Sequence, residues 1–209
     1  MGQTTAEQAY RMIREKIIQL ELPPGTALNE ASLAEELGVE STVVRGALER
    51  LASDHLVTIH PQRGPYVSPL SLTEQQELAE LRVELEALSA RLAAQRIKPE
   101  QLAALRTTAA RLAGVSPEDI ETLMRVDREF HAMLAATAGN NTLAGILTDL
   151  YDKSSRFWRS AASRLSFLAG AVERHEELLD ALEYGNVEAA DRVMREHILE
   201  FHRRLRDAL

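Results

Sequence analysis

Beyond Ser68-Pro69-Leu70-Ser71, apolar residues recur three and four apart, broken only at well-marked stops. No other feature constrains the fold as strongly, because this period belongs to amphipathic helices and not to strands. Six helices are expected, over 73–95, 99–112, 117–138, 142–163, 166–184 and 187–205. Ser71 and Glu74 have capping-box spacing. Ser116-Pro117-Glu118 offers an N-cap followed by proline at the first helical position. Gly139-Asn140-Asn141 and Gly185-Asn186 combine a stop with a new cap. Loops this short join antiparallel neighbours, so the expectation is a six-helix bundle. Composition agrees: aromatic residues are only 4% of the chain, which is rich in the helix formers Ala, Leu, Glu and Arg.

The first seventy residues differ in kind. Ala9, Met12, Ile13, Ile17 and Leu20 mark a helix over 5–20, capped by Thr4 or Thr5 and stopped by Pro23-Pro24-Gly25. A second helix follows the cap Asn29 and runs to Leu37, with Gly38 just past its end. A third covers 42–54, with Val44, Leu48 and Leu51 on one face. Leu56-Val57-Thr58-Ile59-His60 and Pro65-Tyr66-Val67-Ser68 then read as two strands around Pro61-Gln62-Arg63-Gly64. Three helices and a hairpin make a winged helix-turn-helix. The fold class expected is therefore mainly α, with a winged head over 1–70 and an antiparallel helical bundle over 71–209.

Several chemistries are excluded. Without cysteine there is no disulfide framework, thiolate zinc site or cysteine nucleophile. No apolar run approaches the ~20 residues of a membrane span, and the N-terminus lacks signal character. A soluble, cytoplasmic protein is expected. The formal charge is −8, and neither part is a polycation; residues 1–70 hold 6 Lys/Arg against 9 Asp/Glu. Any nucleic-acid contact must come from a local arrangement of charges.

Two sets of side chains stand out. In a winged helix-turn-helix the third helix enters the major groove by its N-terminal end, here carrying Ser41, Thr42 and Arg45, with Arg50 further along. Arg45 suits bidentate contact with guanine or phosphate. Arg63 and Gly64 occupy the wing tip. The plainer reading makes Arg45 and Arg50 solvated helix charges. In the bundle, Asp127 and His131 lie four apart on one helix face, while His175 and His197 sit on later helices. One carboxylate and three imidazoles converging in a bundle core suit zinc, nickel, manganese or iron. The plainer reading is an exposed pair of residues one turn apart. His202 falls off the face of His197, and His55 and His60 read as surface residues.

Residues 8–68 resemble the winged-helix head of the GntR family of bacterial transcription regulators. The resemblance rests on Leu22-Pro23-Pro24-Gly25-Thr26, Leu33-Ala34-Glu35-Glu36-Leu37-Gly38-Val39, Val44-Arg45-Gly46-Ala47-Leu48-Glu49-Arg50-Leu51 and Arg63-Gly64-Pro65-Tyr66-Val67. The family's usual Ser-Arg-Thr-Pro is here Glu40-Ser41-Thr42-Val43, and its Arg-Glu-Ala-Leu is Arg45-Gly46-Ala47-Leu48. Ala31 also stands where relatives often carry arginine. With fewer phosphate contacts, operator binding is expected to be weaker or differently specified.

Residues 74–207 resemble the FCD ligand-binding domain of the FadR-type subfamily, in its smaller six-helix form. The matching stretches are Leu81-Arg82-Val83-Glu84-Leu85-Glu86, Asp127-Arg128-Glu129-Phe130-His131, Gly139-Asn140-Asn141, Glu173-Arg174-His175-Glu176, Gly185-Asn186-Val187-Glu188-Ala189-Ala190 and Met194-Arg195-Glu196-His197-Ile198. The resemblance implies that Asp127, His131, His175 and His197 bind a divalent metal ion. It also implies that Arg82 faces the effector cavity; the alternative for Arg82 is a surface ion pair with Glu86. Asn141, Arg156 and Trp158 are further candidates for the effector lining, Trp158 equally reading as core. The function implied is a ligand-responsive regulator, a repressor in most relatives. It binds operator DNA as a homodimer and senses a small carboxylic acid, with no membrane partner. The rival is a metal-dependent enzyme acting on a small organic acid, although no separate base or nucleophile stands out. A structural metal without an effector is a third reading.

Overall fold

The computed structural model describes residues 4–161 and 171–208. The chain divides into two compact units, Met1–Ser71 and Leu72–Leu209.

The first unit opens with α1 (Thr5–Ile18), whose first turn is capped by Thr4 accepting from the Glu7 amide. The helix stops short of the expected Leu20, which takes a left-handed φ of 60° ahead of the proline pair. Ala9, Ile13 and Ile17 form its buried stripe. Met12, expected on that stripe, is 51% exposed, because it lies about 100° round the helix from Ile13. Asn29 accepts from the Ser32 amide to start α2 (Glu30–Leu37). Gly38 then turns the chain at φ 65°, a conformation that a β-carbon disfavours. This turn leads into α3 (Ser41–Ser53), which lies against α1 by Val44, Leu48 and Leu51. Strands β1 (Val57–His60) and β2 (Gly64–Val67) pair antiparallel, with Val57 opposite Val67 and His60 opposite Gly64. Gly64, at φ 79°, closes the tight wing. The core of this unit is aliphatic apart from Tyr10, which reaches Asp54 through its hydroxyl at 2.6 Å.

The second unit is all helix among its described residues: α4 (Leu72–Arg96), α5 (Pro99–Ala113), α6 (Ile120–Thr137), α7 (Asn141–Ala161), α8 (Ala171–Glu183) and α9 (Val187–Ala208). α4 is the central staff, and α9 packs along it. Ala87, Ala90 and Ala93 are fully buried on α4, and such small side chains let a neighbouring backbone come close. Phe130, Leu134, Leu178, Leu182, Val193 and Met194 fill the remaining core.

One start differs from expectation. Ser116 and Pro117 form a turn closed by the Asp119 amide on the Ser116 carbonyl. Asp119 then caps α6 through the Thr122 amide, three residues later than the proline signal suggested. Asn140 and Asn186 cap α7 and α9. The expected start of the fifth bundle helix, at Ser166, lies outside the described residues.

Candidate metal centre and nucleic-acid interface

His131, His175 and His197 come from α6, α8 and α9, and each continues a core stripe. His131 precedes Leu134 and Ala135, and His175 precedes Leu178, Leu179 and Leu182, at helical spacing; His197 stands three residues after Met194 and beside Ile198. Because those stripes meet in one core, the three rings meet too. They are buried, and one nitrogen from each lies within 4.8 Å of the others. His175 stacks on Phe130, with ring centroids 4.2 Å apart. Asp127, one turn before His131, places Oδ1 at 3.8 Å from His131 Nε2 and 3.7 Å from His175 Nε2. The Tyr151 hydroxyl of α7 donates to its other oxygen at 2.7 Å. The three histidines named from sequence are thus together, with Asp127 beside His131 and His175.

The electrostatics suit a cation. Burial pushes His175 down to about 4, with His131 adding to the effect and Asp127 opposing it. Burial also holds His197 well below the ordinary histidine value, helped by His175 and His131. Both rings are therefore neutral near pH 7, the form that binds metal. At His131, burial opposes charge, but Glu86 and Asp127 prevail and raise its pKa. Neither nitrogen of His175 has a hydrogen-bond partner among the described residues. An unsatisfied buried polar group costs about 1–3 kcal/mol, and an ion at this point would remove that penalty. Three imidazoles and a carboxylate fit a divalent metal.

Arg82 departs from the surface-pair alternative. It does pair with Glu86, through Nε at 2.7 Å and Nη2 at 2.6 Å to Oε1, but both residues are only 4% exposed. The Arg82 guanidinium also stands 4.9 Å from the Trp158 ring centre and 5.4 Å from that of Tyr151. Glu86 Oε2 lies 2.6 Å from His131 Nδ1, a charge contact rather than a straight hydrogen bond. Burial works to raise the Glu86 carboxyl, yet Arg82 and His131 hold it far below the usual carboxylate range. Sequence reasoning treated Glu86 only as a partner for Arg82. The available signal was its place on the buried stripe of α4, between Val83 and Ala90. Tyr151 was also missed, and nothing local marked it, since its partner Asp127 is on another helix.

The remaining lining candidates separate. Trp158 is packed edge-on against Tyr151 and Phe201 and is 3% exposed. Arg156 is fully buried on α7, and burial lowers its pKa. Asn141 is exposed at the start of α7, roughly 15 Å along the axis from Tyr151. A cavity of about 20 Å³, room for about one water, lies between α4, α6 and α7 beside Glu86, Ser89, His131 and Tyr151.

In the first unit, Ser41 and Thr42 are exposed in the first turn of α3. Arg45 is exposed and donates through Nε and Nη2 to Glu30 Oε2 at 3.1 and 3.0 Å. Arg50 is held differently: Nη1 meets Glu7 at 2.6 Å, and its guanidinium lies 3.8 Å from the Tyr10 ring centre. Arg63 is exposed beside Gly64 at the wing tip.

Comparison with known proteins follows the same division. The family model "Bacterial regulatory proteins, gntR family" matches residues 5–67, and the FCD domain model matches residues 77–200. An HTH-type transcriptional regulator from an unstable DNA locus of Streptomyces ambofaciens is 32% identical, covering 94% of this chain and 83% of its own. The HTH-type transcriptional repressor RspR of Escherichia coli K12 is 26% identical, covering 98% and 90%. The solved structure of E. coli McbR/YncC superposes with a TM-score of 0.85 at 23% identity, over 99% of each chain, which is a likeness of fold.

Proposed function

The chain belongs to the GntR family of bacterial regulatory proteins and carries an FCD domain, and from that premise we propose that it is a metal-containing sensor of a small carboxylic acid. It is a DNA-binding transcriptional regulator and not an enzyme, as its family and relatives indicate. No described helix is long and apolar enough to cross a membrane. The cytoplasm, where operator DNA is found, is its proposed place.

The observation that carries the sensor reading is the buried meeting of His131, His175 and His197 beside Asp127, with both His175 nitrogens unsatisfied among the described residues. These four residues are the proposed ligands of a divalent ion. Such an ion, when bound, has coordination positions left to accept the carboxylate of an effector. Arg82, fixed against Glu86 and facing Tyr151 and Trp158, is the proposed electrostatic anchor for that acid. Trp158 and Arg156 stand outside the lining of the described cavity; Trp158 is proposed to back it from α7 through Tyr151. Because the described cavity holds about one water, an acid must displace side chains to enter. That displacement is how binding is proposed to shift the populations that hold or release DNA.

In the head, Ser41, Thr42 and Arg45 are the proposed major-groove contacts, and Arg63 with Gly64 the wing contacts. Arg50, stacked on Tyr10 and paired to Glu7, is proposed to support the face of α3 from its flank. A homodimer follows from the two-fold half-sites such heads read. Repression is the proposed sign, as in the relative RspR.

The test combines metal content with DNA release. Purified protein is expected to hold one divalent ion per chain, and Asp127→Ala to lose it. A panel of hydroxy, keto and dicarboxylic acids should contain one that releases operator DNA from the wild type but not from Asp127→Ala. Equal metal content in both proteins would remove the ligand set. Release of both by the same acid would make the metal structural.

A further inference from the structure

The carboxylate of Glu86 has two buried neighbours, one for each oxygen. Oε1 receives Arg82 Nε and Nη2 at 2.7 and 2.6 Å, and Oε2 stands 2.6 Å from His131 Nδ1. With both oxygens engaged, the group is not free to turn. A negative oxygen this close to Nδ1, even off the line of a straight hydrogen bond, favours a proton on that nitrogen. The other ring nitrogen, Nε2, is the one turned toward Asp127 Oδ1, which also faces His175 Nε2.

We propose that Glu86 is the positioning residue of the metal centre, holding the proton of His131 on Nδ1 and leaving the Nε2 lone pair aimed at the ion. Arg82 acts one step further out, keeping Glu86 in register, and the Trp158 and Tyr151 rings bracket Arg82. The order is Arg82 to Glu86 to His131 to ion. Outer partners of this kind set ligand tautomer and direction, and their loss typically lowers metal affinity 10–100-fold. This inference rests on the metal reading above and adds a residue to it.

Glu86→Gln is the sharpest probe because it keeps the shape. Arg82 donates toward Oε1, so the amide oxygen of the variant will face Arg82 and its NH₂ will face His131. That NH₂ needs an acceptor on Nδ1, which moves the ring proton to Nε2, where it blocks the ion. Zn²⁺ affinity, measured by competition with a chromophoric chelator on protein checked to be folded, is expected to fall ten- to a hundredfold. The visible bands of Co²⁺-loaded protein should shift as His131 leaves the ion. Adding Arg82→Met frees the amide to rotate, and part of the affinity should return.

Unchanged Zn²⁺ affinity in Glu86→Gln would overturn the proposal while leaving the metal reading intact. A double variant no better than the single would reduce Glu86 to a structural role and overturn it as well. Wild-type protein that takes up no Zn²⁺ would remove both readings. If Glu86→Gln does not fold, Glu86→Asp keeps the charge but draws it back from Nδ1; undiminished affinity there is equally fatal.

Discussion

The two units treat charge in opposite ways. In the head, Arg45 and Arg50 lie on the surface, each against a carboxylate from a neighbouring helix, and the core beneath them is aliphatic apart from Tyr10. In the bundle, Arg82, Glu86, His131, His175 and His197 stand at core positions, each less than a tenth exposed. Surface charges are screened and exchange partners readily, which suits contacts remade on DNA. Buried charges are held by geometry and are expensive to leave unmatched, which suits a site that must wait for one ligand. A chain can thus bind a polyanion with an acidic net balance, because only the local arrangement matters.

The largest effect expected from this contrast is on acid stability. His175, held down to about 4, refuses a proton that the unfolded ring accepts below about 6.5. Between those values the unfolded state binds more protons, so stability rises with pH and is lost as pH falls through the window. His197 is shifted the same way, while His131, raised by its carboxylates, contributes in the opposite direction. Two rings against one leave a loss that, for His175 alone, amounts to about 3 kcal/mol between pH 7 and 4. Denaturant titration of metal-free protein, followed by the fluorescence of Trp158, the one tryptophan, reads the bundle directly. A bundle as stable at pH 4.5 as at pH 7 would contradict the buried neutral pair.

Next in size is the recognition helix. Arg45→Ala should weaken operator binding by about 1–3 kcal/mol and flatten its salt dependence if the contact is to phosphate. Glu30 competes with DNA for the same guanidinium. Glu30→Gln should therefore tighten binding severalfold, and a gel shift unmoved by either change would leave Arg45 a solvated surface charge.

The smallest expected effect separates folding from binding within α3. Gly46 lies in the exposed face with helical backbone, and a β-carbon there would meet nothing within 4 Å. Gly46→Ala should raise head stability by up to about 1 kcal/mol. If operator affinity falls at the same time, that face approaches DNA closely. A variant that gains no stability would show that the glycine answers to something in the fold.

The winged head was legible in the residues because its signals are local: Asn29 caps, Gly38 turns, and the hairpin closes within a dozen residues. The six bundle stretches were legible for the same reason, with boundaries moving by a few residues where a turn such as Ser116–Asp119 took precedence over a proline cue. The candidate site was half legible. Asp127 and His131 announce themselves at one-turn spacing, but nothing along the chain says that Glu86, forty-five positions away from His131, will touch its Nδ1.

Periodicity and capping, which act over a few residues, determined the helices, the wing and the division between head and bundle. Only the packing of α4, α6, α8 and α9 decided that three imidazoles share one buried point and that the Arg82–Glu86 pair lies inside rather than on the surface. The reason is range: a backbone hydrogen bond is chosen by near neighbours, whereas burial of a charge depends on which helix faces close over it.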